Sequence, residues 1–221
     1  ARRGRRPSGA RAAARCVENT AALPVGLPEL RASLATVLAV TTVDDARAAY
    51  EAIRLAAPGG IGEAESQDVA DDPTVTLTDA MRLAADRDSI AGEYVTDFRA
   101  TFDVGALALR AARRAGLDWN DAVVETYLTL LAACPDSHIA RRAGRARADT
   151  VTREARAVLD AGGVRSASGR AAIAQFDLAL RDSRNLGNPG TTADLTAASI
   201  FVTLLTGGWH SSHGGSDAAP R

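Results

Sequence analysis

The densest run of chemically capable side chains is Asp136–Arg142, where an acid, a hydroxyl, an imidazole and two guanidiniums occupy seven residues. A short helix that begins in the first two residues of this run would place His138, Arg141 and Arg142 on one face. That face would combine a general base with two groups that bind phosphate. A capped helix with a solvated basic face is the alternative. Because core packing explains a histidine beside a polar turn poorly, we favour a functional site.

A second polar segment, Asn188–Asp194, leads into an apolar helix that we expect from Thr192 to Thr206. Gly190 would let a phosphate approach the backbone closely, and Thr191 or Thr192 is a candidate N-cap. The free N–H groups and the positive dipole end at such a helix start suit an anion. A well-capped buried helix with a tight entrance explains the pattern equally well.

A third polar loop, Pro58–Pro73, joins glycines to five carboxylates. The glycines that could approach a ligand are Gly59, Gly60 and Gly62. Asp68, together with Asp71 or Asp72, could hold Mg²⁺ through oxygen ligands. A solvated acidic loop is the alternative. A loop of this length inside a helical domain is uncommon unless it is functional or disordered.

The elements that position these loops are predicted to be helices. Hydrophobic residues make up 46% of the chain but aromatic residues only 4%, so alanine, leucine and valine must fill the core. Alanine favours helices and packs sheets poorly. Ile90, Tyr94, Phe98 and Phe102 recur every four residues, which predicts one buried helical face. We expect an all-α domain over 28–207, a single array of about eight helices with long polar loops.

The two ends of the chain differ from this domain. Residues 1–15 carry six arginines and no acid, and we expect the leader 1–27 to be disordered or to lie outside the fold. The tail 208–221 is rich in glycine, serine and histidine and is expected to be disordered. The pair His210 and His213 resembles a metal tract in composition but lacks rigid support, so we do not assign a metal site there.

Charge and cysteine content exclude several kinds of function. The net charge of −1 gives the chain no electrostatic reason to bind nucleic acid or an anionic membrane. All 26 basic residues are arginine, so Schiff-base and P-loop lysine chemistry are excluded. The two cysteines form no disulfide framework, and no apolar run approaches the roughly 20 residues that span a bilayer. We expect a cytoplasmic protein.

Six short stretches, in their order along the chain, resemble the triphosphoribosyl-dephospho-CoA synthase family of the CitG and MdcB type, most closely its methylotroph-type branch. The most specific are Pro-Asp-Ser-His-Ile-Ala-Arg-Arg (135–142) and Asn-Pro-Gly-Thr-Thr-Ala-Asp-Leu-Thr (188–196). The others are Thr-Thr-Val-Asp-Asp-Ala-Arg (41–47), Pro-Gly-Gly-Ile-Gly (58–62), Gln-Asp-Val (67–69) and Ala-Ala-Asp-Arg-Asp-Ser-Ile-Ala (84–91). The resemblance covers about residues 30–206.

This resemblance implies a pentosyl transferase that joins ATP to 3′-dephospho-CoA, releases adenine and forms 2′-(5″-triphosphoribosyl)-3′-dephospho-CoA, the precursor of a prosthetic group for a carrier protein. The implied base is His138 or Asp136. Phosphate would be bound by Arg141, with Arg142, and by the helix entrance Asn188–Thr192. Asp68, Asp136 or Asp194 would hold Mg²⁺, which enters with ATP. An acyl carrier protein would be a downstream partner.

The family's N-terminal signatures, a Pro-Lys-Pro-Gly type segment and an Asn-Thr type loop, are not found in residues 1–27. We therefore expect the chain to lack the N-terminal portion of the family domain. Two other functions stay open at this point. One is a helical nucleotide-binding module without catalysis, and the other is a related ribosyl transfer to a different acceptor in tetrahydromethanopterin-linked C1 metabolism.

Overall fold

The computed structural model describes residues 26–56, 62–181 and 186–207, and these residues are helical with no strand among them. The all-α prediction is confirmed, with ten α-helices in the described ranges where about eight were expected. The α-helices are α1 Leu27–Ala39, α2 Val43–Ala56, α3 Leu77–Ala84, α4 Ser89–Val95, α5 Ala106–Arg114, α6 Trp119–Ala133, α7 Ser137–Ala143, α8 Arg145–Asp160, α9 Ala167–Leu180 and α10 Gly190–Leu205. A π-helix, Ala100–Gly105, precedes α5, and a 3₁₀ turn, Gly163–Arg165, precedes α9.

The main core lies between α6, α8 and α9. Leu131, Val151 and Ala155 have no exposed surface there, and small side chains let the helix axes approach closely. A second apolar cluster joins α1, the π-helix and α10 through Leu27, Phe102 and Val202. Alanine, leucine and valine therefore fill the interior, as the composition predicts.

Polar side chains fix several helix starts. Thr42 and Asp45 form a reciprocal cap at the start of α2, in which the Asp45 carboxylate accepts the Thr42 N–H at 2.7 Å. The Thr76 hydroxyl accepts the Asp79 N–H at 3.2 Å at the start of α3. The short helix expected at the start of the Asp136–Arg142 run is α7, and the Asp136 carboxylate caps it.

The four-residue repeat from Ile90 to Phe102 does not lie on one helix, which corrects the sequence prediction. After α4 the backbone turns at Asp97 and Phe98, whose φ angles are +53° and +57°. The buried carboxylate of Glu93 accepts the first two backbone N–H groups of the π-helix, at 2.7 and 2.8 Å. This carboxylate satisfies donors that a helix start leaves open, so a new helix begins there.

Several predictions fall outside the described ranges. These are the leader up to residue 25, Gly59, Gly60 and the tail from residue 208. Their structure stays a prediction, as do the domain boundaries drawn there. No helix in the described part of the chain has both the length and the apolar character needed to cross a membrane.

Candidate functional site

A cavity of about 500 Å³ lies between α2, the loop that follows it, α3, α4, and the starts of α7 and α10. All three loops singled out in the sequence contribute to its wall. The polar and charged side chains of this wall include Tyr50, Asp68, Arg87, Asp88, His138, Arg141, Thr191 and Asp194. The fold thus brings together groups separated by more than a hundred residues.

Apolar side chains also line the cavity. They come from α2, α3 and α4 and include Ile53, Met81, Leu83, Ile90 and Ala91. A cavity of this size, with apolar lining and a few polar groups, is typical of a small-molecule site. The mixed lining suits a ligand that has both a flat apolar part and a charged part.

Asp136 lies beside this cavity with only 2% of its surface exposed. One carboxylate oxygen accepts the Ile139 N–H at 3.0 Å, at the start of α7. The other accepts the N–H and the hydroxyl of Thr192 at 2.7 and 2.8 Å, at the start of α10. Both oxygens bind protein donors, so Asp136 joins the two helix starts; its roles as base or metal ligand stay predictions.

The start of α10 differs from the predicted anion site. Thr191 and Thr192 are buried within the first turn and neither caps the helix, whose N-cap is Pro189. The Thr192 N–H, one of the donors expected to face phosphate, instead binds the Asp136 carboxylate. Asn188 is exposed outside the cavity wall, and its carbonyl accepts the Gly190 N–H at 2.9 Å. A protein carboxylate has therefore replaced the anion that this helix start attracts.

The partly buried imidazole of His138 occupies the space beside Gly190. A Cβ atom on Gly190 would lie 2.7 Å from His138 Nδ1. The glycine thus makes room for the histidine, and its predicted contact with phosphate stays a prediction. On the other side of the ring, Nε2 lies 3.4 Å from Nη1 of Arg142. His138 lines the cavity, as predicted for a residue that acts on a ligand.

Asp194 lines the same cavity from α10, just beyond the first turn of that helix. Loss of hydration raises the pKa of Asp194, and the Asp136 carboxylate raises it further. His138 opposes this shift in the pKa of Asp194, and Asp88 adds to it. These interactions place His138 and Asp194 in one electrostatic cluster. A cation beside Asp194 would relieve the repulsion between the carboxylates.

Asp68 lines the cavity from the loop before α3. Its two oxygens accept the N–H groups of Ala64 and Ala70 at 2.6 and 2.7 Å, and these hydrogen bonds hold the pKa of Asp68 below its usual value. Gly62, with a φ angle of +74°, lies in the same loop and also lines the cavity. Asp68 is therefore oriented by the backbone and ionised at neutral pH.

No three histidine, cysteine or acidic side chains in the described ranges are close enough to hold a metal ion by themselves. Magnesium ions are commonly held by one or two carboxylates together with the phosphates of a substrate. Asp68 and Asp194, which share the cavity, fit the protein's part of such a site. The remaining ligands would come from the phosphates and from water.

The two predicted phosphate-binding arginines differ in their surroundings. Arg141 lines the cavity and forms an ion pair with Asp88, and both side chains are mostly buried. Arg142 is exposed and is not part of the cavity wall. The structure thus brings Arg141 into the site and leaves Arg142 at its rim beside His138.

The predicted site residues leave out several polar residues of the wall, and Arg87 and Tyr50 are two of them. Arg87 lines the cavity from the turn between α3 and α4, in the stretch 84–91 that carries part of the resemblance. Tyr50 lines it from α2, where its hydroxyl donates to the Gln67 carbonyl at 2.7 Å. For Arg87, the family-like stretch was the available signal.

The chain is similar to known proteins. The family described as ATP:dephospho-CoA triphosphoribosyl transferase matches residues 10–213. This match begins inside the segment predicted to precede the fold.

A relative from Stutzerimonas stutzeri, named probable 2-(5''-triphosphoribosyl)-3'-dephosphocoenzyme-A synthase, is 36% identical over 112 residues, which are 49% of this chain and 37% of the relative. A protein of the same name from Azotobacter vinelandii is 36% identical over 101 residues, 46% of this chain and 34% of the relative. The chain thus spans about a third of the length of these curated relatives.

A crystal structure from Archaeoglobus fulgidus, of a protein provisionally named a triphosphoribosyl-dephospho-CoA synthase, resembles this fold with a TM-score of 0.61. The two chains are 29% identical, and the match covers 81% of this chain and 73% of the other. Since the family match covers most of the residues, including all three polar loops, the chain belongs to the ATP:dephospho-CoA triphosphoribosyl transferase family.

Proposed function

We propose that this chain transfers the triphosphoribosyl group of ATP to 3′-dephospho-CoA and releases adenine. The observation that carries the proposal is the single cavity that Asp68, His138 and Asp194, from three separate loops, line together. Membership of the family supports the choice of substrates. The apolar lining residues suit a purine ring, and the polar ones suit the ribose and the phosphates.

In the proposed reaction, the 2′-oxygen of the dephospho-CoA ribose forms a bond to C1′ of the ATP ribose. The bond from C1′ to adenine breaks, and its electron pair leaves with adenine. The proton of the 2′-hydroxyl is taken up by a base, and adenine gains a proton. Positive charge develops on the ribose ring in such a transition state, so nearby carboxylates stabilise it.

His138 is the proposed base, because it is the one imidazole in the described ranges and it lines the cavity. Its imidazole packs closely against Gly190, which restricts its motion. Asp68 and Asp194 would hold Mg²⁺, which when bound neutralises the triphosphate. Asp136 keeps the His138 helix and α10 in register.

The test is adenine release. The protein is incubated with ATP, Mg²⁺ and 3′-dephospho-CoA, and free adenine is measured by chromatography. The His138→Ala variant should release adenine about 10²–10⁴-fold more slowly, the usual contribution of a general base. Arg114→Gln, which changes an exposed arginine at the end of α5 outside the cavity wall, is the control and should retain most of the activity.

Three results would contradict the proposal. Folded protein that binds ATP but releases no adenine would be a nucleotide-binding module without catalysis. Adenine release that depends on another acceptor would exclude dephospho-CoA as the substrate. Equal rates in the wild type and His138→Ala would exclude His138 as the base. A carrier protein would enter only downstream, where the product's triphosphoribosyl group is used.

A further inference from the structure

We propose that Arg87 is the principal phosphate-binding residue of this cavity, the cation that receives the triphosphate chain. This inference rests on the proposed function, because it assigns a part of the same site to one part of the substrate. Neither the sequence resemblance nor the comparisons give this residue a role. The argument rests on its position and on the state of the other cations around it.

The position of Arg87 is fixed by the backbone. It lies in the turn between α3 and α4, and its N–H donates to the Ala84 carbonyl at 3.1 Å. Its side chain is exposed and forms part of the cavity wall. Its positive charge acts on Asp68 and Tyr50, which lie on the same wall. The guanidinium is therefore beside the carboxylate proposed to hold Mg²⁺.

The guanidinium of Arg87 has no hydrogen bond or ion pair with any described residue. Arg141, the other arginine of the wall, is committed to the Asp88 carboxylate. Phosphate would have to compete with that carboxylate for Arg141. Arg87 can bind phosphate oxygens with all of its donors, in the bidentate geometry that suits a guanidinium.

The charge of the cavity explains why such a cation is needed. Three carboxylates line it, those of Asp68, Asp88 and Asp194, against the cations of Arg87 and Arg141. Since Asp88 and Arg141 neutralise each other, two carboxylates are left facing one arginine. A triphosphate entering this wall meets repulsion unless Mg²⁺ and Arg87 offset it.

Exposed arginines without partners also occur outside the site, so an unpaired guanidinium alone would not be sufficient. Arg114, at the end of α5, is likewise exposed and forms no hydrogen bond or ion pair with the described residues, but it does not line the cavity. It is therefore the matched control for Arg87. Removing either residue changes the net charge by the same amount.

The experiment measures binding of MgATP, inorganic tripolyphosphate with Mg²⁺, and adenosine by titration calorimetry. Arg87→Gln should weaken the binding of MgATP and of tripolyphosphate at least tenfold. Its affinity for adenosine should stay unchanged, because adenosine has no phosphate. Arg87→Lys should restore part of the loss, since an ammonium keeps the charge but not the bidentate geometry. Arg114→Gln should bind all three as the wild type does.

The outcomes separate this inference from the proposed function. Arg87 is not the phosphate-binding residue if Arg87→Gln binds tripolyphosphate as tightly as the wild type. The same conclusion follows if the affinities of this variant for adenosine and for ATP fall to the same extent. If the wild type binds tripolyphosphate in an Arg87-dependent manner but releases no adenine from ATP, the inference holds and the proposed reaction fails. Wild-type protein that binds neither ATP nor tripolyphosphate overturns both.

Discussion

The carboxylate of Asp136 joins the starts of two helices that come from distant parts of the chain. Its oxygens accept the N–H groups of Ile139 and Thr192, together with the Thr192 hydroxyl. Two helix dipoles point their positive ends at it, which stabilises the negative charge in a buried position. Asp136 thereby sets the distance between His138 on α7 and Asp194 on α10.

Replacement of this carboxylate by an amide is expected to be costly. In Asp136→Asn, an amide NH₂ replaces one of the two carboxylate oxygens. It would face the N–H group of Ile139 or of Thr192, and that buried N–H would lose its acceptor. We expect a loss of about 2–3 kcal/mol in the free energy of unfolding, measured by urea titration. Asp149→Asn, which removes an exposed pair with Arg145, should cost less than about 0.5 kcal/mol. Equal costs for the two variants would contradict the role of Asp136.

Gly190 offers a test of how tightly His138 is positioned. The added methyl group in Gly190→Ala would lie 2.7 Å from His138 Nδ1, so the imidazole must move. We expect adenine release to fall at least tenfold, with a loss of about 1–3 kcal/mol in stability from overpacking. Gly92→Ala is the control, because its methyl group would meet only the Ala85 carbonyl at 3.5 Å. Unchanged release from Gly190→Ala would show that the position of His138 does not matter.

Helices α6 and α9 are joined at one edge by an ion pair. Two nitrogens of the Arg170 guanidinium donate to the two oxygens of Asp121. The hydrogen bond from Arg170 is the main reason why the pKa of Asp121 lies below its ordinary value of 3.8. The folded state thus binds fewer protons at this site than the unfolded chain. The stability that the ion pair between Arg170 and Asp121 contributes is present above the ordinary pKa of Asp121. It is lost as the pH falls through the lowered pKa of the folded state.

This linkage predicts how two variants depend on pH. The melting temperature of Asp121→Asn should lie below that of the wild type by a constant amount above about pH 5. The difference should shrink as the pH falls below about 4, where the wild type also loses the pair. Arg170→Gln removes the same pair and should give the same profile. A difference that grows in acid would show that this ion pair is not its cause.

At the scale of the whole molecule, the cavity lies apart from the main core. Leu131, in the core of α6, has no exposed surface and does not line the cavity. Ligand binding and core packing should therefore contribute independently to stability. Leu131→Ala is expected to lose about 2–5 kcal/mol, measured by urea unfolding.

Binding of MgATP should stabilise both the wild type and Leu131→Ala by the same increment. That increment is about 2.7 kcal/mol when the ligand is at a hundred times its dissociation constant. At the same ATP concentration without Mg²⁺, the increment should be smaller, because Asp68 and Asp194 repel the bare triphosphate. An increment that is the same with and without Mg²⁺ would exclude these carboxylates as ligands of the metal ion.

The sequence by itself determined the helical class and the three loops of the site. These features are local: an alanine-rich composition favours helices, and the polar residues cluster along the chain. The resemblance to the family rests on the same short stretches, and the family match confirms it.

Only the tertiary structure decided which groups face the ligand and which face other protein groups. Asp136 and Thr192 are as polar as any predicted site residue, yet they bind each other, because the starts of α7 and α10 meet. Arg87 enters the cavity, while Arg142 lies at its rim, because the turn before α4 faces the polar loops. These outcomes depend on contacts between residues that are far apart along the chain, and local patterns carry no information about such contacts.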